Sequence, residues 1–162
     1  FIGAYYYPDQ YASADNTATQ VLWNGNSGIS GFTLNADNTA TASQSGTYKI
    51  TYSLQFANSD NAQHDAIVWL RVNGVDVPYS TTIFSIQARK SAGVYTYVCG
   101  YSEVVFTLNT GDKVALWWGT DLHATSGGAL GVWIYSRAAQ TVPMAYPATP
   151  SAIGSITFVS SQ

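Results

Sequence analysis

Two polar segments of the chain bring together the residue types that could do chemistry. Asp60 and His64 fall in one segment, and Asp121 and His123 fall in another, two positions apart. Carboxylate oxygens and imidazole nitrogens bind divalent metals, but a metal site needs more ligands that converge than either segment supplies. We therefore predict solvated loops without a bound metal, with a calcium or loop-tip contact near His64 as the alternative. Because rigid β frameworks carry function on loops, all four residues are candidates for contact with another molecule.

Cys99 and Ser102 are the side chains that nucleophilic catalysis would use. The run Gly100-Tyr101-Ser102-Glu103-Val104 resembles a nucleophile elbow, but its fifth residue is valine and no helical pattern follows. Cys99 has no adjacent histidine or basic residue to activate it, and its place in an alternating run predicts a buried thiol. The sequence has no nucleotide-binding or zinc motif, so we predict no catalytic residue and no cofactor. Paired carboxylates for glycoside hydrolysis remain open, because β folds can host them.

The composition limits the number of domains and the classes of molecule that the chain could bind. The chain has 162 residues, of which 46% are hydrophobic and only 9% are charged, so we predict one domain over residues 1–162. The formal net charge of -3 argues against nucleic acid. No apolar run is long enough for a membrane span, so we expect no membrane insertion. The chain begins at Phe1 rather than methionine, and we leave open whether it is an excised piece, such as the C-terminal knob of a longer fibre protein.

Alternation of apolar and polar residues predicts strands throughout the chain. From Gly46 to Phe56 every second residue is large and apolar, which is the period of a half-buried strand. Val94–Trp118 indicates two strands joined by a tight turn at Asn109–Asp112, and Asn73-Gly74 indicates a two-residue hairpin. No segment has the apolar spacing of a helix. About ten short strands separated by turns predict an all-β antiparallel sandwich or barrel.

Aromatic residues occupy a second face of the Val94–Trp118 stretch. Tyr95, Tyr97 and Tyr101 lie on one side of it together with Glu103, which we expect to pair with Lys49 or Arg137, or to stay exposed. A sandwich has one face for its own core, so this second face needs another partner. Contact with neighbouring subunits, packing within the chain and contact with a ligand are the three interpretations.

Trp117 and Trp118 are adjacent, and adjacent strand residues point to opposite faces. One ring should therefore enter the core. The other faces a neighbour or solvent, where an exposed ring would suit the apolar face of a sugar. We take Trp117 as the surface candidate.

The order of three motifs resembles the C1q and tumour necrosis factor family. The motifs are Gly46-Thr47-Tyr48 at the start of a long strand, Leu70-Arg71-Val72-Asn73-Gly74, and Phe106-Thr107-Leu108-Asn109-Thr110-Gly111-Asp112-Lys113-Val114. The resemblance covers roughly residues 30–160. It implies a ten-stranded antiparallel jelly roll that forms a homotrimer, with Tyr95, Tyr97, Tyr101 and Glu103 as candidates for the interface.

Within that family, the chain is most similar to C1q-like virion proteins of tailed phages, especially those of marine cyanobacteria. These chains are rich in Ser, Thr and Asn, and they approach the last strand through a segment like Tyr146-Pro147-Ala148-Thr149-Pro150-Ser151. The resemblance implies a non-enzymatic capsid or tail appendage on the virion surface, with other virion proteins and a host-surface glycan or protein as partners. A secreted C1q-like recognition protein and a carbohydrate-active jelly-roll enzyme are the alternatives.

Overall fold

The computed structural model describes residues 1–161, and that part of the chain is built of antiparallel strands without a helix. Accordingly, these residues contain no helix long and apolar enough to cross a membrane. The strands are β1 (Ile2–Tyr6), β2 (Thr19–Gln20), β3 (Gly25–Ile29), β4 (Phe32–Leu34), β5 (Ala40–Ala42), β6 (Gly46–Asn58), β7 (His64–Val72), β8 (Val75–Asp76), β9 (Thr82–Ile86), β10 (Thr96–Leu108), β11 (Lys113–Thr120), β12 (Val132–Ile134) and β13 (Ala152–Ser160).

The first sheet is organised around β6. Its strand order is β10-β6-β13-β1-β3, and β12 also pairs with β6. β6 and β10 are each 13 residues long and pair over their full length, from Gly46 opposite Leu108 to Asn58 opposite Thr96. Along β6 the buried and half-buried positions alternate as the sequence predicts, with Tyr48, Tyr52 and Phe56 buried.

The second sheet has the strand order β4-β5-β11-β7-β8, with β2 paired to β11 and β9 paired to β7. β7 and β8 form the predicted hairpin. Asn73 and Gly74 both have positive φ, 52° and 80°, which is the backbone that a two-residue type I′ turn requires.

The core lies between the two sheets. Trp118 is fully buried there, with its ring centroid 6.1 Å from that of Phe56, which also packs against Phe84 at 5.6 Å. Burial of such large apolar side chains is the main stabilising term of the fold. Trp117 lies on the opposite side of β11 and is half-buried, so the prediction that one ring of the pair enters the core is confirmed.

The Val94–Trp118 stretch is not one ribbon, because β10 belongs to the first sheet and β11 to the second. The predicted turn is present, but it carries the chain from one sheet to the other. Asp112 accepts a hydrogen bond from the Asn109 amide at 2.7 Å, and Asn73 donates to Asp112 at 2.8 Å and accepts from the Lys113 amide at 2.9 Å. Alternation shows that each strand has a side facing the core. It does not show whether the turn between two strands joins neighbours in one sheet or crosses to the other sheet.

The structure also contains more strands than the ten or so that the sequence predicts. β3 lies in the Asn24–Gly31 segment, which is rich in Gly, Asn and Ser. It pairs with β1 through the main chain, around a register shift at Gly3/Ala4. Main-chain pairing needs no apolar side chain, so side-chain periodicity does not reveal a strand of this kind.

We expect Gly131→Ala to destabilise the protein. Gly131 has a φ of 122°, and a Cβ atom there would lie 2.6 Å from the His123 carbonyl carbon and 2.7 Å from the Ala124 nitrogen. The free energy of unfolding should fall by about 2 kcal/mol or more. Gly128→Ala, in the same loop but with open space at its Cβ, is the control and should change it by less than about 0.5 kcal/mol. Equal unfolding curves for the two variants, measured in urea, would contradict this account.

Candidate functional site

The outer surface of the first sheet carries the predicted tyrosines. Tyr97 and Tyr101 lie on the solvent side of β10 and are 50% and 60% exposed. Cys99 lies between them and is also exposed, with its Sγ atom 3.1 Å from Ser53 Oγ. The prediction of a buried thiol is therefore wrong. Both sides of β10 carry large apolar residues, so alternation alone does not identify the side that faces the core.

Pairing between strands extends this surface into a row across four strands. Tyr5, Ile153, Ser53 and Tyr101 are consecutive partners on β1, β13, β6 and β10. Tyr5 and Ile153 are exposed, as is Val105 further along β10. We call this surface, formed by Tyr5, Ser53, Tyr101, Val105 and Ile153, the tyrosine face. Sequence reasoning missed Tyr5 and Ile153. The signal that could have found Ile153 is the alternation of Ile153, Ser155 and Thr157 with Gly154, Ile156 and Phe158.

One ion pair lies next to this row. Glu103 on β10 is 3.4 Å from Lys49 on β6, and both side chains are a little over 40% exposed. Of the two partners expected for Glu103, Lys49 and Arg137, the structure therefore shows Lys49. An exposed pair of this kind contributes little to stability, so its main effect is to neutralise the charges on this surface.

Tyr95 precedes β10 and packs within the chain. Its ring lies 5.4 Å from that of the buried Trp133 at an interplanar angle of 83°, an edge-to-face contact. Tyr97 contacts Tyr135 at 4.8 Å. Burial is the main cause that raises the pKa of Tyr135 to about 12, so its hydroxyl stays protonated at neutral pH. Tyr95 is therefore a packing residue within the chain, and Tyr97 lies between this aromatic cluster and the tyrosine face.

The two polar segments come together around His64. His64 Nδ1 is 2.9 Å from Asp121 Oδ2, and its Nε2 is 3.0 Å from Asp60 Oδ2. Only 11% of the His64 side chain and 14% of that of Asp60 are exposed, so the expectation of freely solvated loops does not hold for these two residues. Because both ring nitrogens face carboxylates, the ring can donate at both only as an imidazolium ion.

The charges of this cluster stabilise one another. Burial alone would lower the pKa of His64, but hydrogen bonds to Asp60 and Asp121 raise it overall. The hydrogen bond from His64 lowers the pKa of Asp60. For Asp121, burial opposes the ionised form, yet hydrogen bonds from His64 and the Asp65 amide hold the pKa below its usual value.

His123 forms a separate pair with Asp15. Its Nδ1 atom is 2.5 Å from Asp15 Oδ1, and its amide also donates to that oxygen at 2.8 Å. These hydrogen bonds lower the pKa of Asp15. His123 and Asp121 are thus close in sequence but bond to different residues, Asp15 and His64.

Trp117 is covered by a cation rather than open to solvent. The guanidinium carbon of Arg71 lies 4.0 Å from the centre of its ring, within the range of a cation–π contact. Asp76 Oδ1 holds Arg71 in this position by accepting from its Nε at 2.6 Å. The ring face that stacking on a sugar would need is therefore occupied.

Within residues 1–161 no three His, Cys, Asp or Glu side chains are arranged to hold a metal ion. At His64 the geometry gives the reason, since its nitrogens and the nearby carboxylates already pair with each other. The chain matches no protein-family model, and no curated protein matches it.

The His64 cluster predicts a pH-dependent stability. Because the folded-state pKa of His64 is above its unfolded value of about 6.5, the stabilisation is complete below that pH and is lost as pH rises through the folded-state pKa. Urea unfolding at fixed protein concentration should show that His64→Gln destabilises more at about pH 6 than at about pH 9. Asp121→Asn, which removes one partner, should reduce this pH dependence. An equal loss from His64→Gln at both values would contradict it.

Proposed function

We propose that the chain is a non-enzymatic structural module of a tailed-phage virion, in which three copies assemble through the tyrosine face into a capsid or tail appendage at the particle surface. The exposed, mostly uncharged tyrosine face is the observation that carries the proposal. The resemblance to C1q-like virion proteins supplies the number of copies and the setting, with other virion proteins and a host-surface glycan or protein as further partners.

The tyrosine face has the character of an interface between subunits. Its aromatic and aliphatic side chains are exposed in the single chain, and its nearby charges, Lys49 and Glu103, neutralise each other. An apolar patch of this kind is unfavourable in water, and three-fold association would remove it from solvent. Interface tyrosines offer a large contact area with few rotatable bonds, and Tyr101 lies centrally on β10 for that role.

The strand order supports a jelly roll. Eight of the strands are divided between the two sheets, with β5, β7, β9 and β11 in the second sheet and β1, β6, β10 and β13 in the first. The resulting orders, β1-β13-β6-β10 and β5-β11-β7-β9, are those of two nested Greek keys in which the first and last strands are neighbours. This arrangement agrees with the fold that the family resemblance implies.

Six aspartates lack the raised pKa that a glycosidase acid needs. A glycosidase acid needs a carboxyl group whose pKa is raised so that it is protonated at neutral pH. The aspartates whose pKa departs from the usual value all have it lowered: Asp15, Asp37, Asp60, Asp76, Asp112 and Asp121.

The alternative of a secreted C1q-like recognition protein shares the proposed fold and trimer. A Gly-X-Y stalk in the full gene would favour that alternative over the virion protein.

Native mass spectrometry tests the assembly directly. We expect three times the subunit mass for the unmodified chain, and a shift towards monomer for Tyr101→Glu, because each trimer would then bury three unpaired carboxylates. The apparent affinity should fall at least about a hundredfold. Tyr79→Glu makes the same change at a tyrosine that is fully exposed outside the tyrosine face, and it should leave the mass unchanged. A stable monomer of the unmodified chain would overturn the proposed trimer.

A further inference from the structure

A groove crosses the outer surface of the second sheet, on the side of the sandwich away from the tyrosine face. Its volume is about 490 Å³, within the range of sites that hold small ligands. Asp65, Ile67 and Trp69 alternate with the buried residues of β7, so all three point outward into it. We call this feature the Trp69 groove.

One wall of the groove depends on a glycine in the neighbouring strand. Gly119 of β11 is the partner of Ile67, and a Cβ atom there would lie 3.2 Å from the Thr17 carbonyl oxygen. The missing side chain lets residues 16–18 lie close to the sheet as one wall. Asp76, Val77 and Thr81 line the opposite side. The floor between them is Ile67, which is 37% exposed.

The Trp69 ring is held in a fixed position at this site. Its Nε1 donates to Asp76 Oδ1 at 2.6 Å, and Arg71 Nε donates to the same oxygen at 2.6 Å. The guanidinium carbon of Arg71 also lies over this ring, but at 5.7 Å from its centre against 4.0 Å at Trp117, and Trp69 lines the groove whereas Arg71 does not. The part of the ring that lines the groove, fixed beside an aliphatic floor, offers an apolar surface that is already ordered before a ligand binds. Such a surface matches the C–H face of a sugar ring.

Hydrogen-bond acceptors flank this apolar surface. Asp65 uses Oδ1 to accept from Ser85 at 2.5 Å, and Asp76 uses Oδ1 for Trp69 and Arg71. Among the described residues, no donor bonds to Asp65 Oδ2 or Asp76 Oδ2. Two ordered carboxylates therefore each keep one oxygen available, and a carboxylate oxygen accepts strong hydrogen bonds from hydroxyl groups.

The charge of the groove limits the class of ligand. Three carboxylates line it, those of Asp65, Asp76 and Asp121, and no lysine or arginine side chain does so in the described chain. Arg71 and His64 lie nearby, but each is already bonded to one of these carboxylates. The groove therefore repels carboxylate- or sulfate-bearing sugars and accepts neutral ones.

We propose that the Trp69 groove binds an uncharged pyranose unit of a glycan, with the ring on Trp69 and Ile67 and its hydroxyls donating to Asp65 and Asp76. The class of ligand follows from the residues of the groove. Only its biological role, as a glycan on the host surface, rests on the proposed function. The groove is built within one chain, so a monomer in the mass measurement would leave the binding proposal intact. A failure to bind glycans would likewise leave the proposed trimer intact.

Titration followed by NMR tests the proposal on the full chain. The probes are cellotetraose, maltotetraose and N-acetylchitotetraose as neutral glycans, tetragalacturonate as an acidic glycan, and spermidine as a simple cation. The indole N–H signal that disappears in Trp69→Phe belongs to Trp69. We expect this signal to shift on addition of at least one neutral tetrasaccharide and to stay unchanged with tetragalacturonate.

Isosteric variants separate binding from folding. Asp65→Asn and Asp76→Asn keep the size of the side chain but weaken the acceptor, and each should lower the affinity by about tenfold or more. Asp37→Asn is the matched control, since Asp37 is an exposed aspartate outside the groove, and it should change the affinity less than about twofold. Three results would overturn the proposal: no shift with any neutral glycan, a shift with spermidine alone, or equal affinity in Asp65→Asn and Asp37→Asn.

Discussion

The ladder between β6 and β10 is the interaction on which the rest of the structure depends. Its unbroken pairing over 13 residues fixes which side chains enter the core and which face outward. β12 and β13 then pair in succession along the other edge of β6, so this single strand positions three other strands, β10, β12 and β13. A slip of one residue in this ladder would exchange the core and solvent sides of β10, and Tyr101 would leave the surface.

The two ends of the sandwich differ in how they are held. At one end Asn73 ties the β7–β8 hairpin to the sheet-crossing turn through Asp112 and the Lys113 amide. At the other end the connections are held by ionic hydrogen bonds around His64 and by the aromatic cluster around Trp133. Only 9% of the residues are charged, and three of the aspartates, Asp60, Asp112 and Asp121, bond at these connections.

The sequence predicts most of the framework because strand period and turn chemistry are local properties. The alternation of β6 and the hairpin at Asn73-Gly74 are both present as expected. What could not be predicted depends on pairing between distant segments. His64 and Asp121 are 57 residues apart and meet only after β7 and β11 align. The Trp69 groove likewise requires Gly119 to lie opposite Ile67, which no local pattern contains.

The pairing of β1 with β13 has a mechanical consequence. The strands are antiparallel and neighbours, with Ile2 opposite Ile156, so the two ends of the described chain emerge at the same pole of the sandwich. Tension applied between those ends would separate the strands one hydrogen-bonded pair at a time instead of shearing the whole ladder at once. The sandwich should therefore resist tension between these two strand ends less than a fold whose first and last strands must be sheared apart.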